Sequence, residues 1–174
     1  MNNSITGNVI KLGLDNIDTD VISSARFGLS ATPNAEEWKL IKENAFGAIR
    51  PELYKDVKPG DILVSGKNFG YGSHRVRATT VLGQLGFSAV IAESFARIYF
   101  RNAIAIGFPA YEVPGITQIA EEGDRLEIDL ESCRVKNLTN GKSVPFKPHS
   151  DMVKKILDAG GIFEMMRQRL EKER

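Results

Sequence analysis

One cysteine, two histidines and no excess charge of either sign set the first limits on this 174-residue chain. The lone thiol, Cys133, cannot close an internal disulfide, and a structural zinc or iron–sulfur site needs several ligands. With His74 and His149 as the only imidazoles, any metal centre this protein works with is expected on another chain. Lys plus Arg number 23 against 22 for Asp plus Glu, a net charge of +1, without the basic excess of a nucleic-acid binder. No apolar run is long enough to span a bilayer. Met1 to Thr6 lacks the basic-then-apolar pattern of a signal peptide, so a cytoplasmic location is expected. What is present is ordinary: 42% hydrophobic and 26% charged residues, enough for one domain over residues 1–174 with a sizeable core.

The chain alternates between two styles of patterning. Ile5 to Leu12 suits a strand, and Gly13 with Asp15-Asn16-Ile17-Asp18-Thr19-Asp20 reads as a loop. Ser23 to Asn34, rich in Gly, Ser, Ala and Pro, is expected to be a mobile loop. Ala35 to Phe46 has Trp38, Ile41 and Ala45 at helical spacing. The middle then runs strand (Ile62 to Val64), Gly-rich loop (Gly66 to Ser73), helix (His74 to Leu85, stopped by Gly86), strand (Ser88 to Ala92), helix capped by Ser94, and strand (Pro109 to Val113). That succession predicts an α/β fold with a parallel or mixed sheet and flanking helices. Asp124 to Leu130 alternates polar and apolar, and Asn140-Gly141 marks a hairpin. Two helices after Ser150 close the chain, the last ending on a charged, solvated face.

Gly70-Tyr71-Gly72-Ser73-His74-Arg75 stands between a strand and a helix. Its glycines let the backbone approach a ligand, and the predicted helix start, with Ser73 as N-cap and Arg75 beside it, offers an anion several donors. Judged locally, a tight turn with an ordinary serine cap is the commoner outcome. A Rossmann fingerprint would need Gly at Arg75, and a P-loop would need Ser or Thr at Asn68; neither fits. Asp15, Asp18 and Asp20 lack calcium-loop spacing and read first as turn and capping residues. His149 beside Pro148 reads as structural, His74 as better placed to meet a ligand, and Arg97 with Arg101 as solvated or at a subunit contact.

Several linked stretches in one order carry a more specific signal. They are Asp15 to Ile22, Arg50-Pro51-Glu52, Lys58-Pro59-Gly60-Asp61-Ile62, Asn68 to Arg75, Ala89 to Ile98, Asn102 and Gly107-Phe108-Pro109. From Val9 to about Val113 this pattern resembles the small-subunit family of the 3-isopropylmalate dehydratases, the swivel domain of the aconitase superfamily. The resemblance implies a swivelling β/β/α domain and a large-subunit partner carrying a [4Fe–4S] cluster, with no cofactor bound by this chain. It also implies a di- or tricarboxylate substrate, Ser73 as catalytic base, Arg75 as carboxylate ligand and Asp20 as an active-site loop residue that orients partners. The isolated chain could itself form a homo-oligomer.

The loop departs from the family's usual Gly-Ser-Ser-Arg-Glu-His, preceded by Gly-Cys or Gly-Glu. Tyr71 replaces the Cys or Glu, His74 the second Ser, Val76 the Glu and Arg77 the His. Ser73 and Arg75 are kept, and His74 adds a donor near the expected substrate. Phe27-Gly28-Leu29-Ser30 stands where homoaconitase-like subunits read Tyr-Leu-Arg-Thr, so Leu29 replaces an arginine. A third buried carboxylate without a partner is costly, which favours a substituted malate over a tricarboxylate. 2,3-Dimethylmalate and citramalate are alternatives within that class, and a homoaconitase-type substrate is the alternative among tricarboxylates; a non-catalytic anion-binding or regulatory module is the alternative outside the enzymes.

Overall fold

The computed structural model describes residues 3–28, 30 and 32–173. Among them, seven strands form one mixed sheet in the order β4-β3-β2-β1-β5-β6-β7. The strands are β1 (Ser4–Lys11), β2 (Ile62–Ser65), β3 (Ala89–Ala92), β4 (Ala110–Glu112), β5 (Arg125–Asp129), β6 (Arg134–Asn137) and β7 (Ser143–Pro145). The helices are α1 (Thr19–Ile22), α2 (Ala35–Asn44), α3 (Leu53–Asp56), α4 (Arg77–Leu85), α5 (Arg97–Ala105), α6 (Ile116–Ile119), α7 (Asp151–Ala159) and α8 (Ile162–Lys172).

β1 is shared between two styles of pairing. Its second half runs parallel to β2, with Val9 opposite Ile62, and β2, β3 and β4 continue in parallel. Its first half pairs antiparallel with β5, Ser4 opposite Asp129, and β6 and β7 extend that meander. Parallel strands need crossovers, and α4 and α5 supply two of them. Buried on both faces, β2 and β3 read as continuous apolar runs, yet their side chains still alternate. Leu63, Val90 and Ala92 enter one cluster with Ile22, Ile41, Val81, Leu82 and Tyr99 of the helices. Ile62, Val64, Ala89 and Ile91 enter a second with Ile116, Leu126, Ile128 and Val135.

Local chemistry explains most boundaries. Asn34 caps α2 in a reciprocal box with Glu37, and Gly86 closes α4 at φ +111°. Three expectations need correction. The segment after Asp18 is the short helix α1 rather than loop, because Asp18 Oδ1 accepts from the N–H groups of Asp20 and Val21 at 2.7 and 2.8 Å. Ser94 does not cap α5, which begins at Arg97; its hydroxyl instead accepts the Asn68 N–H at 2.9 Å. Likewise α4 begins at Arg77 and not at His74, since local side-chain bonds described below hold Ser73 to Arg75 out of the helix. The helix α6 had no expectation at all. Glu93 secures its start by accepting from Gly115 N, Thr117 N and Thr117 Oγ1 at 2.6, 2.9 and 2.5 Å. Burial alone would raise the Glu93 pKa, but these hydrogen bonds outweigh it and hold the carboxyl below its ordinary value.

His149 joins the segment before α7 to the sheet edge. Its Nε2 lies 3.1 Å from the Ala110 carbonyl and its ring stacks on Tyr111, centroids 4.9 Å apart. Burial lowers its pKa, against the opposing pull of the Ala110 carbonyl. Protonation therefore favours the unfolded chain, whose imidazole keeps an ordinary pKa of about 6.5. Stability is expected to fall as pH drops below that value, and His149→Phe should flatten this part of the profile relative to the parent, measured by urea unfolding between pH 5 and 8 (roughly the His titration window).

Candidate active site

The Gly-rich loop is tied on both sides. On one, Phe69 N–H donates to Ser94 O at 3.0 Å and Ala96 N–H to Phe69 O at 2.9 Å. The Phe69 ring is buried edge-on against Tyr99 and Phe95, with centroids 5.1 and 6.0 Å away. On the other side the loop runs along the Asp-Thr-Asp segment. Gly70 N–H donates to Ile17 O at 2.7 Å and Thr19 N–H to Tyr71 O at 2.9 Å, forming a short parallel bridge. Gly70 has φ +79°, and a Cβ there would lie 2.2 Å from Tyr99 Cγ, so only glycine lets the loop pass this close.

These ties fix Ser73. Its backbone N–H donates to the buried Thr19 Oγ1 at 2.9 Å. Its half-buried hydroxyl accepts from Arg75 N–H at 3.2 Å and from Arg75 Nε at 3.0 Å. This local turn, with Asn102 Nδ2 donating to the His74 carbonyl at 2.9 Å, is why α4 starts late. Ser73 is therefore not the N-cap; Val76 is, without a side-chain cap bond. The donors expected from the helix terminus come instead from one arginine, backbone and side chain together.

Arg75 also reaches Asp20, its NH2 group lying 2.5 Å from Oδ1. That pair is exposed enough to be worth only about 0–1 kcal/mol in stability. Its effect is orientation, because Asp20 and Ser73 together hold the guanidinium plane. The structure thus brings Ser73, Arg75 and Asp20 to one point. His74 is exposed beside them and, with Arg75, lines a cleft of about 460 Å³ whose other walls include Ser30, Pro33, Trp38 and Val76. Leu29 lies outside the described residues. Thr19 is the site residue that sequence reasoning missed, although it stands in the middle of the Asp-Thr-Asp motif.

The carboxylates of the first loop do not converge on a cation: Asp18 caps α1, and Asp15 Oδ1 accepts the Lys67 N–H at 2.6 Å. Among the described residues, no group of three or more His, Cys, Asp or Glu could hold a metal ion. Cys133 sits on the β5–β6 turn, so the chain's own donors do not fit an iron–sulfur cluster, which needs several thiolates. No helix of the described residues is long and apolar enough to cross a membrane.

Residues 24–111 match the aconitase C-terminal domain family. The 3-isopropylmalate dehydratase small subunit of Thermodesulfovibrio yellowstonii is 43% identical over 169 residues, covering 97% of each chain. The chain belongs to this small-subunit family. The isopropylmalate/citramalate isomerase small subunit of Methanocaldococcus jannaschii is 42% identical over 98% of both chains. A crystal structure described as 3-isopropylmalate dehydratase from M. jannaschii superposes with a TM-score of 0.86 at 30% identity, covering 98% of this chain and 97% of that one. The expected α/β fold with a mixed sheet and flanking helices is the fold observed, and it matches that structure.

Gly70→Ala is expected to destabilise the protein by about 3 kcal/mol or more, since both the positive φ and the Tyr99 ring oppose a methyl group. Chemical denaturation checks this; a loss below about 1 kcal/mol would mean the loop is not pinned against α5 as described.

Proposed function

We propose that this chain is the small subunit of a hydro-lyase that interconverts 2-isopropylmalate and 3-isopropylmalate by dehydration and rehydration, in leucine biosynthesis. Its partner is a large subunit bearing a [4Fe–4S] cluster, and the complex works in the cytoplasm. One observation carries the catalytic reading: the Ser73 hydroxyl is turned toward Arg75 and accepts two hydrogen bonds from it, at 3.0 and 3.2 Å.

A serine hydroxyl is a poor base because its alkoxide is too unstable in water. Donors already aimed at the oxygen stabilise the charged form without reorganising when the charge appears. A full positive charge on one donor makes these bonds stronger than neutral ones. As alkoxide, Ser73 takes the proton from the carbon next to a substrate carboxylate, leaving the electron pair to form the alkene as hydroxide departs. The cluster of the large subunit, when bound, supplies the Lewis-acid chemistry for that departure. Arg75 holds the substrate carboxylate through its planar fork, and Asp20 fixes that fork in place. Rehydration returns the proton from Ser73 and places the hydroxyl on the neighbouring carbon.

Substrate choice rests on the segment Phe27-Gly28-Leu29-Ser30 and on the cleft beside it. Leu29 in place of an arginine, with Trp38, Pro33 and Val76 around the cleft, supports an apolar substituent over a third carboxylate. Citramalate is the second reading, supported by the name carried by one relative at 42% identity.

In the reconstituted complex, Ser73→Ala should cut kcat by about 10²-fold or more with assembly intact, the usual weight of a proton-transfer group. Unchanged turnover would leave a non-catalytic anion-binding role. Isopropylmalate, citramalate and homoaconitate assayed side by side test the substrate; preference for the tricarboxylate would overturn the substituted-malate reading. Arg75→Lys keeps the charge but loses the fork, so KM for isopropylmalate should rise by about tenfold.

A further inference from the structure

Arg77 stands where the family's usual loop has histidine, and its side chain does not point to the Ser73 hydroxyl. Its guanidinium turns back from the first turn of α4 to the segment after α1. Nε donates to Ser23 Oγ at 3.2 Å, NH2 to the Ser24 carbonyl at 3.3 Å, and NH1 closely to the Gly28 carbonyl. Ser23 is buried, and Ile41 of α2 backs the same segment beneath Gly28. Within it, a 3-10 turn over Ala25–Phe27 is closed by Phe27 N–H to Ser24 O at 3.3 Å and Gly28 N–H to Ala25 O at 3.2 Å. Arg77 thus gathers three acceptors spread over six residues of a stretch whose sequence predicts mobility. It does so at a cost: burial, and then the like charge of Arg75, disfavour its cationic form.

Arg77, Arg75 and Ser30 line the same cleft, and Ser30 follows the Ser23–Gly28 segment closely in the sequence. We infer that Arg77 is a positioning residue that sets substrate selectivity, by holding the Ser23–Gly28 segment from which the chain continues to the cleft-lining residues Ser30 and Pro33. The inference rests on the dehydratase reading proposed above. A single ammonium could satisfy part of this set, whereas the planar fork reaches all three acceptors in diverging directions. With the tether cut, the segment is free to move away from α4, the cleft widens, and the advantage of an isopropyl over a methyl substituent shrinks.

The test uses the chain co-assembled with its large subunit, comparing wild type with Arg77→Ala, Arg77→Lys and Ser73→Ala. For Arg77→Ala, KM for 2-isopropylmalate should rise by about five- to tenfold with kcat within about threefold, as expected from losing charge-assisted bonds that order a binding segment. The ratio of kcat/KM for 2-isopropylmalate over citramalate should fall by a similar factor. Amide hydrogen exchange at Phe27 and Gly28 should quicken by about tenfold or more, and Arg77→Lys should lie between the two in all three measurements. Faster exchange with an unchanged substrate ratio would overturn the selectivity role, and so would a fall in kcat alone. Unchanged exchange would overturn the tether itself. If Arg77→Ala does not assemble, Arg77→Lys decides by the same criteria. Failure of the dehydratase reading looks different: wild type without turnover on either substrate, or Ser73→Ala as active as wild type.

Discussion

Everything at the candidate site depends on two loops being bound to each other before any side chain can act. The Asp-Thr-Asp segment and the Gly-rich loop leave neighbouring strands, β1 and β2, and run on together beyond the sheet. Gly70 donates to Ile17, Thr19 to Tyr71, and Ser73 to the Thr19 hydroxyl. These bonds, two between backbone groups and one from backbone to a side chain, join segments some fifty positions apart in the chain, so they form only when β1 and β2 pair in register. The aromatic group of Phe69, Phe95 and Tyr99 supplies the apolar anchor underneath. A loop held this way behaves as part of the scaffold, which a preorganised catalytic oxygen requires.

Two arginines on one stretch of chain then divide the work. Arg75 faces outward and collects Ser73 and Asp20; Arg77 faces back and collects Ser23, Ser24 and Gly28. Two like charges this close would ordinarily repel to no purpose. Here each has its own acceptors, and their joint field favours an anion between the Gly-rich loop and the segment after α1. Tyr71, His74 and Val76, which also depart from the usual family loop, are all exposed, and His74 and Val76 line the cleft beside the two arginines. Departures concentrated on exposed positions, with Ser73 and Arg75 kept, change what the site meets more than how it is held.

How much of this could be read in advance varied with how local the cause was. The strands β2 and β3, the cap at Gly86, the hairpin at Asn140-Gly141 and the Ser150 cap of α7 all follow from nearby residues. The start of α4 did not, because Ser73, Asn102 and Thr19 compete for backbone groups that a helix would otherwise use. Ser94 looked like a cap for α5 and serves the Gly-rich loop instead, since Asn68 approaches it only in the folded chain. Thr19 was visible as part of a motif, but its partner lies 54 positions away.

The residue types that could do chemistry, and the single thiol, too few to ligate an iron–sulfur cluster, were written in the sequence. Those are properties of side chains, and composition and order are sufficient to state them. Which oxygen is exposed to a cation, which arginine faces outward and which is spent on holding a loop were decided by tertiary structure alone. Directions of this kind come from contacts between remote strands and loops, and a linear pattern carries no record of where a side chain will point.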